Sequence, residues 1–241
     1  MIRGSHVAFT ACLALFGAAA LADEAPRASL HYSDLKGYQT RMDGLKDLDQ
    51  LTVSARISSA QAGVKPSDIK LETKLKSGQT VDIPIDADGR FTLPSSPELT
   101  QEDPLFVSNQ PKGTLGLNIK FDIKTPDKLT QRYADLLRGA TQFNEAIHRQ
   151  GMMASWFGPK ANGLLFLFDD GVHSLTLHTA KGDQVLKSGT LAEAQVHLKD
   201  HKLSVTSGKG IFLYVPLDKY LLEQNPMTSF DVLPMGVMPA L

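Results

Sequence analysis

Of the seven histidines in this 241-residue chain, four fall within one short stretch: His173, His178, His197 and His201. Imidazole titrates near neutrality and ligates zinc, copper or nickel, so such a group invites a metal site. Strand alternation divides it, because His173 and His178 are five positions apart and face opposite sides of a strand. His178 still meets His197 where their strands pair, with Asp200 or His201 at the following turn. The metal candidates are therefore His178, His197 and His201, but no thiolate completes a tetrahedral site, and the expectation is no bound metal and no cofactor. A second chemistry uses the same residues: Asp169 or Asp170 set against His173 or His178 makes an acid–base pair for a hydrolase whose site is dispersed along the chain.

Motifs for nucleophilic or phosphate chemistry do not strengthen that reading. There is no Gly-x-Ser-x-Gly elbow, and Ser77, Ser188 and Ser207 sit beside glycines in hairpin-like turns. Ser67-Asp68-Ile69-Lys70 matches a Ser-x-x-Lys pattern, yet Lys70 opens an alternating strand and no Lys-Thr-Gly or Ser-Asp-Asn partner exists. Thr206-Ser207-Gly208-Lys209-Gly210 lacks phosphate-loop spacing and runs toward a strand rather than a helix. Asp86-x-Asp88-Gly89 begins like a calcium loop, but Phe91 and Leu93 occupy the later ligand region. It reads as a hairpin turn with a positive φ at Gly89.

The N-terminus bears on location. Arg3, the apolar and small run Val7 to Ala19, and the small-residue site Ala20-Leu21-Ala22 before Asp23-Glu24 have the form of a secretory signal peptide, residues 1–22, cut after Ala22. Phe9-Thr10-Ala11-Cys12 has too few preceding apolar residues to serve as a lipidation signal. Cleavage removes the only cysteine, which excludes disulfides and thiolate chemistry from the mature protein. It also removes Arg3, one of 25 basic residues, and none of the 26 acidic ones, leaving a net charge of −2. With no basic run there is no electrostatic footprint for nucleic acid, and no later stretch is apolar enough for a transmembrane segment. The expected location is periplasmic or secreted, in a bacterium, and the expected partner is an envelope protein or ligand that the sequence does not identify.

Residues 23–124 read as an N-terminal β domain. Leu51, Val53, Ala55 and Ile57 alternate with polar residues, as do Leu71, Thr73 and Leu75, then Val81, Ile83 and Ile85, and finally Leu115, Leu117, Ile119, Phe121 and Ile123. At Thr80-Val81-Asp82-Ile83-Pro84-Ile85-Asp86-Ala87-Asp88-Gly89-Arg90-Phe91-Thr92-Leu93-Pro94 the chain resembles transthyretin-like and carboxypeptidase-regulatory-like β-sandwich modules, a likeness extending from Ile69 to Pro94. The resemblance implies a sandwich fold and an accessory, non-catalytic role, and it transfers no functional residue.

After Thr125-Pro126 the period changes. Leu129, Tyr133, Leu136, Leu137, Ala140, Phe143 and Ile147 form one stripe, which predicts an amphipathic helix over 125–151 whose apolar face needs cover. Residues 152–241 read as a second β domain. Its Leu164-Leu165-Phe166-Leu167-Phe168 is apolar on both faces, as a central strand should be. Further strands are predicted at His173–His178, Glu193–Leu198, Leu203–Val205 and Ile211–Val215, and Pro216 opens a short helix that Asn225-Pro226 ends. Met152, Met153, Trp156 and Phe157 are the candidate partner-binding residues, with plugging of a sandwich end as the alternative. The halves share a phrase: Phe91-x-Leu93-Pro94, Leu99 and Asp103-Pro104 have the spacing of Leu213-x-Val215-Pro216, Leu221 and Asn225-Pro226, a pattern that either a duplication or strand-turn grammar alone produces.

The fold class expected is mainly β: two antiparallel β-sandwich-like domains with one amphipathic connecting helix. The function expected is a non-enzymatic exported binding or assembly module. The alternatives are the dispersed hydrolase and a histidine-based metal-binding protein.

Overall fold

The computed structural model describes residues 26–151, 159–190, 193 and 210–241. The proposed signal peptide and the predicted strands at 194–198 and 203–205 lie outside the described residues. The fold is mainly β, with several antiparallel sheets and few helices.

Its elements are β1 (Arg27–His31), α1 (Tyr32–Asp43), β2 (Leu51–Ser59), β3 (Leu71–Lys74), β4 (Thr80–Asp82), α2 (Pro97–Glu102), β5 (Leu105–Pro111) and β6 (Leu115–Ile123). Then follow β7 (Thr130–Arg132), α3 (Tyr133–Arg149), β8 (Gly163–Phe168), β9 (Ser174–Thr179), β10 (Gly182–Lys187), β11 (Ile211–Pro216), α4 (Lys219–Gln224), β12 (Met227–Phe230) and β13 (Gly236–Ala240). One four-stranded sheet runs β4-β3-β5-β1 and another runs β10-β9-β12-β7; β2 pairs with β6, and β8 lies between β11 and β13.

The two four-stranded orders are the same order used twice. Each unit opens with a strand that leads directly into a helix; a later strand returns past a short helix to pair with that first strand, and a last strand, β6 or β13, pairs with the strand after the long helix, β2 or β8. The repeated phrase noted in the sequence marks the hinge of this arrangement. Asp103 (φ 42°) and Asn225 (φ 45°) are the non-glycine residues of positive φ among those described, each ending a short helix. Asparagine and aspartate tolerate this conformation better than most side chains. In each unit the left-handed residue also bolts the long helix in place. Asp103 Oδ1 accepts from the Ser33 N–H at 2.7 Å, and Asn225 Oδ1 accepts from the Ala134 N–H at 2.9 Å. The prolines that follow accept from the tyrosine N–H groups, Pro104 O from Tyr32 and Pro226 O from Tyr133. The tyrosine hydroxyls in turn donate to Pro94 O and Pro216 O. Tyr32-Ser33-Asp34-Leu35 and Tyr133-Ala134-Asp135-Leu136 are thus two copies of one device, and the units are structural repeats.

Helix α3 begins at Tyr133, not near Thr125. Thr130, Gln131 and Arg132 form β7 instead, because their backbone groups join the ladder of β12. Leu129, at the head of the predicted stripe, is consequently 45% exposed. The rest of the stripe holds: Tyr133, Leu136, Leu137, Ala140 and Phe143 are buried, and Ile147 is partly so. Their cover comes from both units. Leu45, Leu48, Leu51 and Ile123 of the first join Leu164, Phe166, Phe168 and Leu213 of the second in one core. Strand β8 is buried on both faces as expected, since Leu165 turns the other way to meet Phe212 and Ala240.

The polar side of α3 is also engaged. Gln142 and Arg138 both bind Asp49, and Arg149 binds Asp47 and Gly44 O, so the loop before β2 is tied to the helix. The Gln142 amide first, and Arg138 with it, hold the Asp49 carboxyl below its ordinary value.

Burial pushes the Tyr133 hydroxyl up to about 12. An unfolded tyrosine ionises near 10, so the raised value stabilises the fold below that pH, and the contribution is lost as pH climbs through the folded value. The unfolding free energy should therefore fall between pH 10 and about 12 in the wild type. Burial also raises the Tyr214 hydroxyl, so Tyr133→Phe should show a shallower fall rather than none; chemical denaturation across this range in both proteins checks it.

Candidate functional site

Sheet geometry assembles the histidine chemistry. On β9, Leu175 and Leu177 are buried, so Ser174, Thr176 and His178 point to the outer face. On β12, Thr228 and Phe230 turn inward, leaving Met227 and Ser229 outside. Asp183 on β10 sits directly opposite His178, Met227 of β12 sits opposite it on the other side, and Arg132 of β7 is opposite Met227. A row Arg132, Met227, His178, Asp183 thus crosses the sheet. Ser229, two residues along β12, is diagonal to His178.

The contacts are close. His178 Nδ1 is 2.9 Å from Asp183 Oδ1, and His178 Nε2 is 2.9 Å from Ser229 Oγ. A carboxylate only accepts, so Nδ1 donates to it; in the neutral ring Nε2 is then the acceptor and the Ser229 hydroxyl is the donor. The sequence reading paired His178 with Asp169 or Asp170. The structure instead supplies Asp183 across the β9–β10 hairpin, and it adds a serine from a strand more than forty positions away. Gly182-Asp183 read as a turn because β10 is an exposed edge strand without apolar alternation.

His173 faces the other way, as alternation requires. It stacks on Phe168 at 4.8 Å, donates through Nε2 to Asp170 O, and has Nδ1 3.7 Å from Asp231 Oδ1. For Asp231, burial pulls upward, but hydrogen bonds from the backbone and hydroxyl of Ser174 outweigh it and hold the carboxyl below its ordinary value. His197 and His201 lie outside the described residues, as do Met152, Met153, Trp156 and Phe157. Among the described residues no group of three or more His, Cys, Asp or Glu side chains is arranged to hold a metal.

Beside His178 is a cleft of about 500 Å³, lined by Arg132, Lys181, Gln184, Tyr220, Gln224, Pro226 and Met227 among others. Its counterpart in the first unit, about 570 Å³, is lined by Glu72, Lys74, Lys76, Glu102, Pro104, Leu105 and Val107 among others. The strand registers make the two equivalent: Lys74 occupies the position of His178, Leu105 that of Met227, and Pro104 that of Pro226. Glu102 and Gln224 both end the short helix at the rim. The place is repeated while its chemistry is not, since the first cleft mixes lysines with glutamates and the second sets Arg132, Lys181 and His178 around one carboxylate, Asp218.

Residues 24–168 match the family model described as Protein of unknown function (DUF2987). The chain belongs to the DUF2987 family. No curated protein and no solved structure matches it. The DUF2987 span takes in the whole first unit and the β7-α3-β8 start of the second. It therefore includes the first cleft, while His178, Asp183 and Ser229 lie beyond its end.

Proposed function

We propose that this protein is an exported binding or assembly module of the bacterial envelope that presents one ligand cleft on each of its two units. The observation that carries the reading is the recurrence of a cleft of similar size at the same place in both repeats. Concave sites of this volume are the usual seats of ligands. The signal-like N-terminus supports export, with the mature chain beginning at Asp23, and the resemblance of Ile69 to Pro94 to accessory β modules agrees with a binding role. No helix among the described residues is long and apolar enough to cross a membrane.

Two sites on one rigid chain bind a repetitive or dimeric partner with avidity, so losing one should weaken retention and losing both should abolish it. Leu105 is 44% exposed, and Met227 is its equivalent, so Leu105→Glu and Met227→Glu alter the clefts without opening a core. The mature protein immobilised over solubilised native envelope should retain its partner less well in each single variant and release it in the double one. Full retention by the double variant would sink the proposal.

A further inference from the structure

We propose that Ser229 is an activated nucleophile toward small acyl esters, an activity that goes beyond the binding role and does not rest on it; Ser229 stands outside the lining of the second cleft and meets it through His178, which is in that lining. The relay is complete in the order such chemistry needs. Asp183 orients the His178 ring and selects the tautomer whose Nε2 receives the Ser229 proton, with 2.9 Å at each step. The three side chains stand on three adjacent strands of one sheet, β10, β9 and β12, and sheet register holds them more firmly than loops would.

In the reaction, Ser229 Oγ bonds to the acyl carbon as its proton passes to His178 Nε2. The ester C–O bond then breaks, and Nε2 returns the proton to the departing alcohol. Water, deprotonated by the same nitrogen, cleaves the acyl-serine to release a carboxylic acid and restore Ser229. Both edges of β12 are paired at Ser229, with Thr130 on one side and Thr176 on the other, so an oxyanion hole of strand N–H groups is not built there. The charge that develops falls instead to Arg132, which lines the cleft with His178, is diagonal to Ser229 across the β7–β12 pair, and already donates through Nη1 to Asn225 O at 3.1 Å, leaving its other N–H groups for the oxyanion. A single oxyanion donor is worth roughly 10²–10³ in rate, so turnover is expected to be slow and covalent capture the sharper measurement.

The mature protein should be treated with a fluorophosphonate probe and, separately, with p-nitrophenyl acetate. The expected result is one probe per chain, located on Ser229 by peptide mass spectrometry and absent from Ser229→Ala. Acetate release should follow the same pattern. His178→Ala should slow labelling by at least about ten-fold, as loss of a general base does. Asp183 is a positioning residue, so Asp183→Asn should slow labelling while leaving the melting temperature unchanged. All these residues are on the outer face, and unchanged melting keeps the comparison free of folding effects. No labelling of the wild type, or equal labelling of Ser229→Ala, would overturn the assignment.

Discussion

Leu136→Ala or Phe143→Ala is expected to lower stability by about 2–5 kcal/mol, whereas Arg138→Ala should cost no more than about 1 kcal/mol. Leu136 and Phe143 are buried in the core that α3 shares with both units. Phe143 also meets Phe121 of β6 edge to face at 5.7 Å, so its truncation loses an aromatic pair and opens a void between the units. Arg138 lies on the opposite side of the helix, paired with Asp49 where both side chains are about half exposed, and solvent screens such a pair. A denaturant series on the three variants checks the contrast. Equal losses at all three positions would show that the apolar stripe does not anchor the helix.

Gly139→Ala should also destabilise, against the usual trend for a glycine within a helix. Replacing such a glycine by alanine ordinarily adds about 1 kcal/mol, because alanine loses less conformational freedom. Here a Cβ would stand 2.4 Å from Ile123 Cγ2, on a branched side chain that has little freedom to turn away. Overpacking of this kind costs about 1–3 kcal/mol, which at least offsets that gain, and a net loss of up to about 2 kcal/mol is expected. The same substitution in an Ile123→Ala background removes the obstruction, and there Gly139→Ala should become neutral or stabilising. The double-mutant cycle therefore reads the closeness of α3 to β6 directly. Strictly additive effects would show that the two elements do not touch at this point.

Much of the fold was legible because local chemistry and tertiary outcome agree. Alternation located β2, β3 and β6, and the unbroken apolar run located β8 between two partners. Asp86-Ala87-Asp88-Gly89 turns as its composition demands: Asp86 Oδ1 accepts from the N–H groups of Asp88 and Arg90, and Gly89 takes φ 80°. Helix α1 was not legible, because it buries only Tyr32 and Leu35 and carries a weak apolar stripe. Strand β5 has a buried Ser108 and Gln110 where an apolar face would be read, and β13 contains a proline. The repeated phrase was visible in the spacing around Pro94 and Pro216. Its cause was not: the left-handed Asp103 and Asn225 reach back to the start of a helix some seventy to ninety positions earlier.

By itself the sequence determined what is local. It set the strand periods, the Asp-Gly turn, the apolar stripe of α3, the opposite facing of His173 and His178, and the lack of any thiol after residue 22. Those properties follow from residue type and from periods of 2 and 3.6, and they need no knowledge of neighbours. Tertiary structure alone decided which strands lie side by side. It replaced a predicted first turn of helix with β7, placed matching clefts on the two units, and brought Asp183 and Ser229 to His178. Register across three strands is a long-range property, set by which faces must be buried together, and no spacing along one strand records it.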